Sequence, residues 1–345
     1  MSSSSTAPEL QLAGEYPPAD EQQHIDSLIR ELRAKMQRDY AKSRTLRDAH
    51  PKMHGCVRGE FSILPDLPRE LGIGVFKQSR TFPVWVRFSN QNGTASADSK
   101  PDIRGVAIKL MGVEGARILP DGPVGTTHDF ILISDSRFVT ANVAEFDGLV
   151  KALIGGKLPI VWYFLTHLRV ARNLLWSLRH HSNPLAIRYF SVVPSLLGDK
   201  AVKYSLIPVD VSQAPVPKNS GNDHLREAMV DQLTSREAVF DFSVQFQVDP
   251  YKMPIEDPGI TWDESLSPFR KVARLTIPSQ VFDTPERREF GDNLSFNPWR
   301  CVPEHRPLGG ISRARRQVYQ ALSKFRHDNN QAVRDEPTAG ASKLG

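Results

Sequence analysis

Near its C-terminus the chain reads RARRQVYQALSKFRH, in which Tyr319 follows Arg315 by four residues and precedes Arg326 by seven. On a helix those spacings put the phenol and both guanidinium groups on one face, one to two turns apart. Read alone, the stretch is an ordinary solvated basic helix; read for chemistry, it is an oxygen donor set among fixed cations. Far upstream, His54 sits in MHGCVRGEF, in a loop ahead of the first strand-like segment, and an imidazole there can move protons near neutral pH. In VWVRFSNQNGTASADSKPDIRG, the alternation of Val84, Val86 and Phe88 puts Arg87 and Ser89 together on the other face of a strand. A guanidinium buried on that face demands an anion.

Such residues need a scaffold, and 345 residues at 40% hydrophobic can bury a large core. The 44 Lys and Arg against 39 Asp and Glu leave a net charge of +5, mild for this length and not gathered into a nucleic-acid-binding arm. Cys56 and Cys301 have neither zinc spacing nor a disulfide framework, which fits a reducing compartment. The N-terminus lacks a basic region followed by an apolar one, so a cytoplasmic location is the default expectation. The most apolar run, LPIVWYFLTHL, is too short for a transmembrane span.

The composition predicts disordered segments at residues 1–20 and 331–345 around a single domain at 21–330. Ile25, Ile29, Leu32 and Met36 predict an amphipathic helix within residues 22–48, packed on the body or on a neighbouring subunit of a homo-oligomer. Residues 54–135 read as short strands joined by turns, residues 141–181 as helix, and a second strand set precedes the final helix. That pattern predicts an α+β fold with an antiparallel sheet or barrel. Within 141–181, Val161, Phe164, Leu168, Ala171, Leu175 and Leu178 form an apolar stripe with Trp162, Arg169, Arg172, Trp176 and Arg179 around it. A core helix with a basic face is the preferred reading, and a membrane-surface helix or the mouth of a channel for an amphipathic acid is the alternative.

Several of these stretches resemble the haem catalase family in order and spacing: His54 with its glycine-bearing turn, Val86-Arg87-Phe88-Ser89, Ser96-Ala97-Asp98, Asp102-Ile103-Arg104-Gly105, Phe296-Asn297-Pro298 with Val302-Pro303, and Arg315, Tyr319 and Arg326 on the last helix. The segment NPLAIRYFSVVPSLLGDKAVKYSLIP further resembles the small catalase-related proteins, which act mostly as peroxidases. The resemblance implies a catalase-like antiparallel β-barrel with surrounding helices and haem b in a buried pocket. It implies Tyr319 as the iron ligand with Arg315 beside it, Arg326 and Arg87 on the propionates, and His54 as acid–base group oriented by Ser89. The implied reaction is reduction of hydrogen peroxide or organic hydroperoxides by a small-molecule electron donor, with little catalase activity.

Three positions depart from the family pattern. Thr127 stands where catalases have a distal asparagine, with His128 expected to pair with Asp129 in a loop. Pro51 lies three residues before His54, where the family has arginine, and Lys52 is a substitute propionate contact. Met53 precedes His54, where allene oxide synthases carry threonine, which weakens a fatty-acid hydroperoxide isomerase or lyase reading. A haem- or lipid-binding protein without turnover is the remaining alternative, and it has no use for a distal acid–base group.

Overall fold

A computed structural model describes residues 9–119, 126–209, 211, 214–216, 221–333 and 336–338. Nine strands organise them: β1 (Met53–Ile63), β2 (Thr81–Asn90), β3 (Arg104–Leu110), β4 (His128–Ile133), β5 (Tyr189–Phe190), β6 (Ser195–Leu197), β7 (Lys200–Pro208), β8 (Ala238–Phe246) and β9 (Arg270–Ile277). Neighbours pair antiparallel in the order β5-β4-β3-β2-β1-β9-β8-β7, and a β5–β7 pairing closes this run into an eight-stranded barrel with β6 outside β7. Closure leaves no open edge among the eight. The α+β architecture with an antiparallel barrel is therefore as expected.

Alternation along each strand sends one set of side chains inward. Val84, Val86 and Phe88 of β2 join Phe61, Phe130, Tyr204 and Phe242 in the barrel core. Ring pairs there are close, with Phe130 and Phe242 centroids 4.8 Å apart and Phe61 and Phe242 5.1 Å apart. The opposite face of β2 carries Trp85, Arg87 and Ser89, and it too is buried, under helices and loops.

Those covers come from α1 (Glu21–Asp39), α2 (Val143–Gly155), α3 (Lys157–Thr166), α4 (Leu168–Ser177), α5 (His224–Ser235), α6 (Pro285–Asn293) and α7 (Gly310–Asn330). Buried Ile25, Leu28, Leu32 and Met36 line one side of α1, which packs on α2 and α7. The chain thus covers this stripe itself, and no neighbouring subunit is needed for it. Arg313 near the start of α7 bonds Glu15, Glu21 and Glu256 at 2.6, 2.6 and 2.9 Å, which ties the segment before α1 to the body.

The helical region at 141–181 is three helices. Asn142 caps α2 by accepting from the Glu145 amide at 2.9 Å, and Gly156 at φ +95° breaks α2 from α3. A second break at His167 separates α3 from α4, so the predicted stripe is split. Val161, Leu168 and Leu175 of that stripe are exposed, which corrects the reading of a core helix. No helix among the described residues is long and apolar enough to cross a membrane.

Candidate functional site

β1 and β2 pair with a register shift between Met53 and Gly55, so His54 is the extra residue of a bulge. A bulge re-aims its side chain. The His54 imidazole is turned into a polar cluster, where Nε2 lies 2.6 Å from Asn90 Oδ1 and Nδ1 3.7 Å from Asp98 Oδ2. Asn90 also accepts from Arg104 and donates to Asp98, while Lys52 pairs with Asp98 at 2.8 Å and Asp223 at 2.9 Å. Burial, set against the pull of Asp98, lowers the His54 pKa to about 4.

Ser89 does not orient His54. Its Oγ lies 3.0 Å from Nδ1 of His50, four residues earlier. The His50 segment is tied to the end of β2 through His50 N to Gln91 O at 3.2 Å and Asn90 N to Lys52 O at 3.0 Å. Gly105 of β3, directly opposite Ser89, makes room: a Cβ there would stand 2.5 Å from His50 Cε1. Gly105, the glycine that ends Asp102-Ile103-Arg104-Gly105, is thus the surface on which His50 lies.

Around His50 the positive charge is dense. Burial first, then Arg87, Arg315 and Arg47, lower its pKa to about 3. Arg87 donates to the carbonyls of His50 and Gly291 at 3.0 and 3.3 Å. Arg47 donates to the carbonyls of Asp292 and Gly291, each at 3.2 Å, and to that of Leu294. Arg326 of α7 reaches the Asp292 and Leu294 carbonyls from the other side. Backbone carbonyls therefore hold three guanidinium groups together, and among the described residues the Asp292 carboxylate, 4.0 Å from Arg47, makes the only ion pair with any of them. Burial lowers all three pKa values, and repulsion between the guanidinium groups adds to it for Arg47 and for Arg326, which falls to about 10.

Tyr319 and Arg315 occupy the same stretch of α7. Tyr319 is partly buried against the apolar cluster of α1, α2 and α4, and its hydroxyl has no hydrogen bond among the described residues. Arg315 has no carboxylate partner among them and lies 5.7 Å over the Phe138 ring.

Thr127 is elsewhere. It precedes β4, whose ladder with β3 runs from Gly105↔Ile133 to Leu110↔His128, so it lies roughly 20 Å along the ladder from the His50 end. There it donates to Glu336 at 3.3 Å, beside a buried set in which Asp129 bonds Lys109 at 2.7 Å and Arg300 at 2.6 Å. His128 is a strand residue packed on Phe130 and His305, not a loop histidine paired with Asp129.

Sequence reasoning missed His50 and Arg47. Their signal was present: an arginine three residues before the histidine fails at His54, where Pro51 intervenes, and holds at His50, where Arg47 stands.

Three solved structures share this architecture. Catalase A from Saccharomyces cerevisiae matches with a TM-score of 0.66 at 17% identity, over 93% of this chain and 68% of that one. A fungal catalase matches at 0.60 and 16%, over 95% and 65%, and a bacterial catalase at 0.62 and 14%, over 96% and 67%. The chain spans about two thirds of the length of each. No family model and no curated relative matches it. Closed antiparallel barrel, flanking helices and long C-terminal helix together are the catalase fold.

Proposed function

We propose that the chain is a haem-dependent peroxidase of the catalase-related type, in which His50, not His54, is the distal acid–base group. The observation that carries this reading is the meeting of Ser89-bound His50 with buried Arg87 and Arg326 and half-buried Arg47, three cations short of carboxylate charge. A buried ion costs several kcal/mol unless compensated, and the two propionates of haem would compensate these. Tyr319, with a free hydroxyl and Arg315 one turn before it, supplies an anionic oxygen ligand of the kind ferric haem takes. The donor set therefore fits haem b.

When bound, haem supplies the redox iron on which a peroxide is reduced. The chain's own part is proton handling. With Nδ1–H donated to Ser89, the Nε2 lone pair of His50 is free to take the proton of a hydroperoxide and return it to the departing oxygen. Its lowered pKa keeps the imidazole neutral, and so ready to accept, through the whole range above about pH 4. The Ser89 bond and the flat seat on Gly105 hold the ring in one orientation. Asn90, Asp98, Arg104, Lys52 and His54 form a second polar cluster behind it, whose part is to hold the β1–β2 end in shape.

The test is haem reconstitution of the purified chain, followed by turnover of hydrogen peroxide and of an organic hydroperoxide with and without a reducing donor. Donor-dependent turnover supports a peroxidase. Haem uptake without any turnover would make the chain a haem carrier, and turnover of a fatty-acid hydroperoxide without donor would make it an isomerase or lyase.

A further inference from the structure

We propose that α3 and α4 dock this protein on the surface of an anionic lipid bilayer. Fourteen large hydrophobic side chains are exposed among the described residues, and eight of them fall between Leu153 and Trp176. Scattered single apolar residues need no explanation, but a cluster of this kind does. On α3, Leu158, Val161, Trp162 and Leu165 recur at the spacing of one helix face and are 84%, 55%, 69% and 64% exposed. Leu168 and Leu175, each 70% exposed, and Trp176 continue the set along α4. The inner sides bury Tyr163, Val170 and Asn173, so both helices are seated by packing while their outer apolar residues stay uncovered.

The charge around this face is one-sided. No Asp or Glu occurs between Asp147 and Asp199, a stretch that carries Lys151, Lys157, Arg169, Arg172, Arg179 and Arg188. Lys151 is neutralised by Asp147 and Arg169 by Asp257, but Lys157, Arg172 and Arg179 have no carboxylate partner among the described residues. Arg172 lies 5.3 Å over the Trp176 ring. Tryptophan and arginine beside leucine is the composition that settles at the boundary of headgroup and acyl chain. At ten residues, about 15 Å, α3 is too short to span and would lie in the plane of the surface. A second copy of the chain is a poor occupant, because a symmetric contact sets the same unpaired cations against themselves.

The same two helices pack inward on the cluster that holds Tyr319, so docking would place the apolar side of the candidate site toward the lipid. The docking proposal itself stands without the peroxidase reading, because its test needs no turnover. The test is co-flotation of the full chain with vesicles of phosphatidylcholine alone and of phosphatidylcholine with about 30% phosphatidylglycerol, at low and high salt. The expected result is binding to the anionic vesicles only, weakened by salt, with a blue shift of tryptophan emission. Trp162→Glu with Leu165→Glu should lower the bound fraction at least tenfold, and Lys157→Glu with Arg172→Glu should abolish the preference for anionic lipid. These positions are exposed, and an unchanged far-ultraviolet circular dichroism spectrum would show that the variants fold. Absence of binding, equal binding to both vesicle types, or full binding by the Trp162/Leu165 variant would overturn the proposal. So would a dimer, seen by light scattering, that this variant dissolves while the parent chain ignores vesicles.

Discussion

Ser89 Oγ lies 3.0 Å from Nδ1 of His50, while His54, four residues on, is bonded to Asn90. The two histidines therefore predict opposite outcomes. In the haem-loaded protein, His50→Ala should lower the rate of peroxide cleavage by about 100-fold or more with haem retained. His54→Gln should leave that rate within about threefold while lowering the thermal midpoint, because it disturbs a buried hydrogen-bonded cluster. Stopped-flow mixing with peroxide separates them, and a reversed pattern would return the acid–base role to His54.

Gly105 gives an independent check on the same ring. A Cβ at this position would meet His50 Cε1 at 2.5 Å and Nδ1 at 2.8 Å. Gly105→Ala should displace the imidazole and cost about tenfold or more in peroxide cleavage, at a stability cost of about 1–3 kcal/mol. Unchanged kinetics would mean that His50 does not work from this seat.

Tyr319 is tested by its spectrum. Tyr319→Phe removes only the hydroxyl, which makes no hydrogen bond among the described residues, so apo-protein stability should change by less than about 0.5 kcal/mol. Haem retention through gel filtration should nevertheless collapse. A variant with an unaltered haem spectrum would remove Tyr319 from the ligand position.

Acid should destabilise the fold early. Burial lowers His50 and His305 to about 3 and His54 to about 4. Between those values and the unfolded pKa near 6.5 the unfolded chain binds more protons, so stability rises with pH across this window and is lost on acidification. Asp129 works the other way, since burial first, against the pull of Lys109, raises it to about 7. Asp102, also raised by burial, adds to Asp129, but the three histidines outweigh these two carboxyls, so the urea midpoint should fall as pH drops from about 6.5 to 4. A flat profile there would show that these rings are hydrated and free to charge.

Glu336 makes a further measurable contact. Its carboxylate lies 2.7 Å from Lys109 and 3.1 Å from Arg300, two buried cations that also both contact Asp129. Glu336→Gln removes a carboxylate from between two buried cations and should cost about 2–3 kcal/mol in chemical denaturation. No loss would mean that this part of the tail contributes nothing to the folded state in solution.

Much of this was legible in the chain alone, because it rests on local rules. Alternation at Val84, Val86 and Phe88 determined which side chains of β2 enter the barrel and set Arg87 and Ser89 together on the other face. The spacing in RARRQVYQALSKFRH determined a helix presenting Arg315, Tyr319 and Arg326, and α7 is that helix. Other questions depended on groups distant in sequence. A one-residue bulge in the β1–β2 pairing decided that Ser89 meets His50 and that His54 turns to Asn90, and no local pattern near His54 announces it. Whether the residues of α3 and α4 are core or surface was likewise open, since an apolar residue at helical spacing fits either place until the partner faces are known. The breaks at Gly156 and His167 split the stripe and turned Leu158, Val161, Trp162 and Leu165 outward. Periodicity determines what one element can offer; only the packing of elements against one another decides what each side chain touches.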